Sequence, residues 1–213
     1  MADFTTSETD GDQLRRLLNG CLVPRPIAFV STRSPSGQLN LAPFSFFGAC
    51  GYSPPTLAFS VELRDGKIKD TASNIMNHPE FVVHIVSESL ADKMNLTSSA
   101  FGPEIDEFAA AGLTPTTSTV VDVPRVKEAL IAMECRLSQT IMIGKAPSLT
   151  YHFLGEIVHW HIDDGVIADN DRFSLKYDQL AAIGRMGGTQ YVRASNLFDM
   201  SGPYIGASRK EYA

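Results

Sequence analysis

The chain has 213 residues, of which 44% are hydrophobic and 20% are charged, a composition typical of one folded domain with a sizeable core. Its formal net charge is −6, and it contains no run of lysine and arginine, which argues against a nucleic-acid partner. No apolar stretch approaches the roughly 20 residues that a membrane-spanning helix needs, so we expect no membrane partner either.

Cysteine usage and the first residues indicate the compartment. Cys21, Cys50 and Cys135 are odd in number and widely spaced, which argues against a disulfide framework and against a cysteine-rich zinc site. Residues 1–16 are acidic and polar and lack the basic-then-apolar order of a secretory signal. We therefore expect a cytoplasmic protein whose thiols are reduced and buried.

The predicted elements are mostly strands. A loose arm over residues 1–20 contains one or two helical turns at 13–18, and Pro24 and Pro26 then exclude a helix. Short apolar runs rich in β-forming residues, separated by turn signals, predict strands at 27–32, from 39, at 56–62, 81–86, 129–143 and 151–162. Short helices are predicted at 70–77, 88–95 and 104–111.

Turn and capping residues fix where these elements start and stop. Asp70 or Thr71 is expected to cap the first inserted helix, because either side chain can accept from free backbone N–H groups. Ser87 is expected to cap the second helix. Asp163 to Gly165 predicts a tight hairpin turn after the last long strand. Six or seven strands with small helices between them indicate a mainly β, barrel-like domain.

The segment KDTASN is the most informative for function. A helix start carries unpaired N–H donors and the positive end of the helix dipole, which suits phosphate. Lys69 adds a full charge, and Thr71 and Asn74 add neutral donors. Taken alone, however, the segment favours an ordinary capped surface helix.

A serine between aromatic residues marks the preceding strand. Alternation along residues 42–47 puts Phe44 and Phe46 on one face, with Ser45 and Phe47 on the other. Ser45 and the neighbouring N–H groups could face the polar edge of a flat ring, but core packing of the aromatic residues explains the pattern equally well.

Two further segments each allow two interpretations. His159 and His161 share a strand face, yet no cysteine or carboxylate follows at a telling spacing, so a solvent-facing strand is favoured and no metal is expected. The segment GRMGGTQY lacks the spacing of a nucleotide loop, and it suits either a plain turn or a ligand edge formed by Arg185 and Tyr191.

Together these segments resemble the flavin reductase-like, FMN-binding split-barrel family, in its flavoredoxin-like branch. The segments that carry the resemblance are VPRPIAFVST (23–32), NLAPFSFF (40–47), 53–55, KDT (69–71), Asn74, FVVHIVSE (81–88), 94–95, 106–108, 111–113, 124–126, 134–135 and GRMGG (184–188). Their order, rather than any one of them, is specific, and it reverses the preference for a plain capped helix at KDTASN. The implied division is an arm over 1–20, a split-barrel domain over 21–200 and a tail over 201–213.

The resemblance implies a six-stranded split barrel, usually a homodimer with flavin at the subunit interface. The isoalloxazine ring would then be bordered by Ser45, Phe46 and Phe47, and the ribityl chain would be flanked by Ser60 and Val61. The phosphate would be surrounded by Lys69, Asp70, Thr71 and Asn74. Two further pairs would approach the flavin: Asn95 and Thr97 from the following helix, and Arg185 and Tyr191 from the C-terminal segment. His84 is a departure, because relatives often carry asparagine there.

The activity implied is that of an NAD(P)H-dependent flavin reductase, in which a stacked nicotinamide passes hydride to flavin N5 and the cofactor supplies the reactivity. A partner monooxygenase could then use the reduced flavin. The sequence leaves open an FMN enzyme with its own organic substrate, in which His84 or His152 donates a proton, and a flavin-holding electron carrier without a substrate. It chooses neither between NADH and NADPH nor between FMN and FAD.

Overall fold

The computed structural model describes residues 1–169 and 173–200, so the predicted tail at 201–213 lies outside the described residues. In this described part of the chain, no helix has the length and apolar character needed to cross a membrane.

Thirteen strands and five α-helices make up the described chain. The strands are β1 Ala28–Arg33, β2 Leu39–Phe44, β3 Phe47–Tyr52, β4 Pro55–Glu62, β5 Glu80–Ile85, β6 Pro115–Thr116, β7 Arg125–Val126, β8 Ile131–Ile143, β9 Thr150–Ile162, β10 Ile167–Asp169, β11 Ser174–Leu175, β12 Ile183–Arg185 and β13 Tyr191–Arg193. The α-helices are α1 Gly11–Cys21, α2 Asp70–Asn77, α3 Ala91–Leu96, α4 Glu107–Ala110 and α5 Tyr177–Leu180, and 3₁₀ turns cover Thr6–Glu8, Glu88–Leu90 and Asp164–Val166.

The main sheet closes on itself as a split barrel. Its seven strands run in the order β2-β1-β5-β8-β9-β4-β3, with every pair antiparallel. The two edge strands, β2 and β3, are consecutive in the chain and are joined only by Ser45 and Phe46. The Ser60 N–H group donates to the carbonyl of Phe46 at 2.9 Å, so backbone bonding continues across this junction. Counting β2 and β3 as one broken strand gives the six strands expected.

Aromatic side chains fill the inside of the barrel. Phe59 packs against Phe44, Phe81 and Phe153 with ring centroids 5.4, 5.5 and 5.7 Å apart, and Phe59, Phe81 and Phe153 are fully buried. Ile75 of α2 joins the same cluster, so the helix plugs the barrel. The position of α2 is therefore set by core packing.

Short helices cover one outer part of the barrel. Met94 of α3 and Phe108 of α4 pack with Phe29 and Leu41 in a second buried cluster. Asp106 caps α4 by accepting from the N–H groups of Phe108 and Ala109. The predicted helix at 104–111 is thus confirmed in kind but is shorter than expected.

The helical turns predicted at 13–18 are confirmed in kind, but they belong to a longer helix of 11 residues, α1, which Asp10 caps by accepting from the N–H groups of Asp12 and Gln13. Two predicted caps were wrong. Neither Asp70 nor Thr71 caps α2, whose N-cap is Lys69, and Ser87 makes no side-chain cap because its hydroxyl bonds to that of Ser89.

The turn after β9 and two of the thiols also differ from expectation. Asp163 caps a 3₁₀ turn, and the following strand β10 pairs with β11 instead of folding back on β9. Cys135 is buried as predicted, whereas Cys21 and Cys50 are exposed free thiols.

Gly155 gives a test of the barrel packing. A Cβ at Gly155 of β9 would overlap the ring of Phe81, which is fully buried and cannot move without disturbing the core. We expect Gly155→Ala to lower the free energy of unfolding by about 1–3 kcal/mol in urea denaturation. Gly48→Ala in β3 is the matched control, since nothing lies within 4 Å of the added carbon, and it should change stability by less than about 0.5 kcal/mol. Equal effects of both substitutions would contradict this account of the core.

Candidate functional site

The break between β2 and β3 frees polar and aromatic groups from the barrel wall. Phe44 is buried in the core and Phe47 packs partly against it, while Phe46 is 41% exposed. The predicted alternation, with Phe44 and Phe46 on one face, was therefore wrong, because the strand is interrupted at Ser45 and Phe46. The interruption leaves Ser45 and Phe46 at the surface of a groove.

Helix α1 covers this groove, which has a volume of ≈ 870 Å³. That volume falls within the roughly 300–1,000 Å³ typical of small-molecule sites. Ser45, Phe46 and Ser60 line it on the barrel side, and Arg15 of α1 lines it on the other. Arg15 also pairs with Glu62 at 2.5 Å, which joins α1 to the end of β4. The groove has both aromatic and hydroxyl groups on its walls.

The start of α2 borders a second cavity of ≈ 450 Å³. No side chain caps this helix among the described residues, so the N–H groups of its first turn keep their donors free. Lys69 lines both the groove and this second cavity. Lys69 therefore lies between the two spaces, beside the N-terminus of α2.

A buried hydrogen-bond network fixes the facing of α2. The Asn40 side-chain amide donates to the hydroxyl oxygens of Thr32 and Thr71 at 3.1 and 2.9 Å, and Asn74 donates to Thr32 at 3.0 Å. Because the Thr71 oxygen accepts from Asn40, its own hydrogen remains able to donate to a ligand in the second cavity.

A cationic turn lies beside the same cavity. Asp65 and Gly66 both have positive φ, 50° and 72°, and Arg64 and Lys67 exchange backbone hydrogen bonds across them. Such a two-residue turn brings its flanking side chains together. Arg64 and Lys67 therefore join Lys69 at the cavity.

Charges of both signs shape the electrostatics here. Burial lowers the pKa of Lys69, and Arg64 lowers it further while Glu62 opposes the change. Burial also raises the pKa of Glu107 to about 7, against the hydrogen bond that its carboxylate accepts from the Leu41 N–H group and with help from Asp70. The cavity thus combines a cluster of cations with a carboxyl group that titrates near neutral pH.

The structure distributes the predicted site residues unevenly. The groove is lined by Ser45, Phe46, Ser60 and Lys69, the α2 cavity by Lys69, Asp70, Thr71 and Thr97, and a third cavity of ≈ 400 Å³ by Asn95, Arg185 and Tyr191. Phe47 and Val61 pack in or against the barrel core, and Asn74 is buried in the network with Thr32. Any contact that Val61 makes with a ligand must therefore come from its main chain.

Arg25 is a residue that the sequence analysis did not assign to the site. Its guanidinium is buried and donates to the carbonyls of Asn19, Leu22 and Met186, with its Nε 3.4 Å from the Ser45 hydroxyl. It therefore fastens the end of α1 and the GRMGG turn to the strand break. The signal available was its position between Pro24 and Pro26, which fixes the backbone on both sides.

The two histidines considered as proton donors differ sharply. His84 is fully buried, with Nε2 accepting from the Val126 N–H group and Nδ1 therefore donating to the Phe29 carbonyl. Burial lowers the pKa of His84 to about 4, so it is neutral at physiological pH and bonded at both nitrogens. His152 instead bonds through Nδ1 to the hydroxyl of Ser60 at 2.9 Å, and Ser60 lines the groove.

Comparison with known proteins agrees with this fold. The family model described as "Flavin reductase like domain" matches residues 20–179. A relative from Aquifex aeolicus is 43% identical over 194 residues, covering 90% of this chain and 95% of its own.

Two solved structures are similar over nearly the full length. Nitrilotriacetate monooxygenase component B from Bacillus cereus has 33% identity and a TM-score of 0.89, covering 94% of this chain and 98% of its own. The 2-nitrobenzoate 2-nitroreductase NbaA of Pseudomonas fluorescens has 33% identity and a TM-score of 0.87, covering 98% and 100%. The chain belongs to the flavin reductase-like family of split-barrel flavoproteins.

Proposed function

We propose that this chain is an NAD(P)H-dependent flavin reductase that binds FMN with its phosphate at the start of α2 and its ring in the groove beside Ser45 and Phe46. The observation that carries the proposal is the uncapped N-terminus of α2, which borders the same cavity as the cations Arg64, Lys67 and Lys69. FAD is the other flavin that the sequence leaves open.

Each part of the site has a proposed role. Bound flavin supplies the reactivity, because it accepts hydride at N5 from a stacked nicotinamide. Lys69, Thr71 and the free N–H groups of α2 hold the phosphate, and the groove walls orient the ring while α1 limits access of water. Arg25 positions Ser45 and Phe46 and places a positive charge near the ring.

The assembly and the partners are also proposals. Exposed apolar side chains such as Tyr52, Met142 and Ile143 support a homodimer, since large exposed apolar groups often mark interfaces. The likeness to nitrilotriacetate monooxygenase component B supports transfer of reduced flavin to a monooxygenase. We place this activity in the cytoplasm, in agreement with the free cysteines.

A second candidate is an FMN enzyme that reduces its own organic substrate. The contact between Ser60 and His152 favours it, because a histidine could pass a proton through the serine hydroxyl into the groove. The likeness to 2-nitrobenzoate 2-nitroreductase supports the same class of acceptor.

Turnover with different acceptors tests the two candidates. Flavin-free protein mixed with NADH or NADPH and excess FMN should oxidise the nicotinamide in many turnovers per chain. The reaction is measured by the loss of nicotinamide absorbance. With only one equivalent of FMN, 2-nitrobenzoate should then add little to the rate. If turnover requires 2-nitrobenzoate and falls in His152→Gln, the second candidate is correct. A protein that binds no flavin refutes both.

Lys69 gives a test of the phosphate position. Lys69→Met keeps the apolar stem but removes the charge, and a hydrogen bond to a charged group contributes about 1.5–3 kcal/mol, so FMN affinity should fall roughly 10- to 100-fold. Riboflavin, which lacks the phosphate, should bind both proteins equally well in fluorescence titrations. Lys145→Met, at an exposed turn, is the control. Equal losses for riboflavin and FMN would mean that Lys69 acts through packing.

Glu107 gives a pH dependence to the same binding step. A phosphate dianion nearby would raise the pKa of Glu107 above its value of about 7, so FMN binding takes up a proton and the affinity falls as pH rises beyond 7. Between pH 6.5 and 8.5, we expect FMN affinity to fall roughly tenfold for each unit by which bound FMN raises the pKa of Glu107. Glu107→Gln should flatten this dependence, whereas Glu104→Gln, at an exposed position, should keep it. Parallel profiles for all three proteins would rule out the coupling.

A further inference from the structure

A carboxylate and two imidazoles meet on one face of the β8–β9 ladder. Glu134 of β8 lies directly across from His159 of β9, and His161 follows two residues later on the same face. One ligand atom from each of the three side chains lies within 4.8 Å of the other two. The sequence showed the histidine pair, but Glu134 comes from the neighbouring strand and no spacing reveals it.

The carboxylate of Glu134 is fully buried and rigidly held. It accepts from the backbone N–H groups of Thr119, Val120 and Val121 at 2.6, 2.6 and 3.0 Å. The three amide donors therefore hold the Glu134 carboxylate in one position.

The two imidazoles lie between this carboxylate and the solvent. His161 Nε2 is 2.5 Å from a Glu134 oxygen, and the rings of His159 and His161 are 4.7 Å apart at 64°, so they are not stacked. Both histidines are half-buried, which leaves a path for an ion from solution. Two imidazoles and one carboxylate match the ligand set of zinc sites with an open fourth position.

We propose that Glu134, His159 and His161 form a binding site for one divalent transition-metal ion of the zinc class. For an ion to enter, the hydrogen on His161 Nε2 shifts to Nδ1, which leaves a neutral ring with its lone pair on Nε2. The Nε2–oxygen distance must widen from 2.5 Å to the roughly 3.4 Å that separates two ligands of a tetrahedral ion. His161 makes this movement, because Glu134 is held by three amides.

The site is structural and separate from the groove. Ser60, which lines the groove, pairs with His152, seven residues along β9 from His159, so the strand between them spans at most about 23 Å at 3.3 Å per residue. A bound ion would join β8 and β9, and through Glu134 the segment at 119–121, without touching the flavin site.

Zinc titration of the full chain tests the proposal. Protein stripped with a chelator and titrated with Zn²⁺ by calorimetry should bind one ion per chain, both with and without FMN. His159→Ala and His161→Ala should each weaken binding at least about tenfold. His159→Ala is the decisive variant, because it leaves the contact between Glu134 and His161 in place. Zn²⁺ should also raise the thermal unfolding midpoint of the wild type but not of this variant.

His78→Ala is the matched control, since His78 Nε2 lies 3.7 Å from a Glu80 oxygen and so forms a histidine–glutamate pair without a second imidazole nearby. It should bind Zn²⁺ as the wild type does. The proposal is overturned if the wild type fails to bind Zn²⁺ at about 100 μM, or if His159→Ala retains wild-type affinity. Equal losses in His78→Ala and His159→Ala would overturn it as well.

Discussion

The buried network of Asn40, Thr32, Thr71 and Asn74 is the constraint on which the candidate site depends. All four side chains are buried, so a missing partner would leave a polar group unsatisfied at a cost of about 1–3 kcal/mol. The network ties the first turns of α2 to the β1–β2 hairpin, while Ile75 anchors the same helix in the barrel core. Polar and apolar contacts together aim the uncapped end of α2 at the cavity.

The rest of the site arises where the barrel is irregular. One continuous segment must serve both edges of the sheet, so it has to leave β1 and join β4 within the two residues Ser45 and Phe46. Ser45 and Phe46 therefore do not follow the alternation of inward- and outward-facing side chains along a strand, which would bury one of them. The turn at Asp65 and Gly66 adds two cations at the end of β4. Closing the barrel therefore produces both the groove and its charged end.

Local patterns predicted most strands and a mainly β, barrel-like domain, because alternation and turn residues act over a few neighbours. The split-barrel class came from the family resemblance. Local patterns could not predict that α2 is uncapped: the helix already begins at Asp70, so its N-cap is Lys69, and the hydroxyl of Thr71 accepts from Asn40, far away in the chain. For the same reason, the placement of Arg25 under α1 and of Glu134 beside His161 escaped prediction. Asn95, Arg185 and Tyr191 share one cavity, which is not the groove, because Asn95 lies on α3 and the other two lie on the hairpin of β12 and β13.

Two buried glutamates show how the number of donors decides the state of a carboxyl group. Glu134 accepts from three backbone amides and an imidazole, and these bonds replace the water it has lost, so it stays ionised. Glu107 accepts from the amide of Leu41 and faces Asp70, so burial dominates and its pKa rises to about 7. The first arrangement is complete within the fold and attracts a cation. In the second arrangement the charge of Glu107 changes near neutral pH, so the affinity of the α2 cavity for an anion depends on pH.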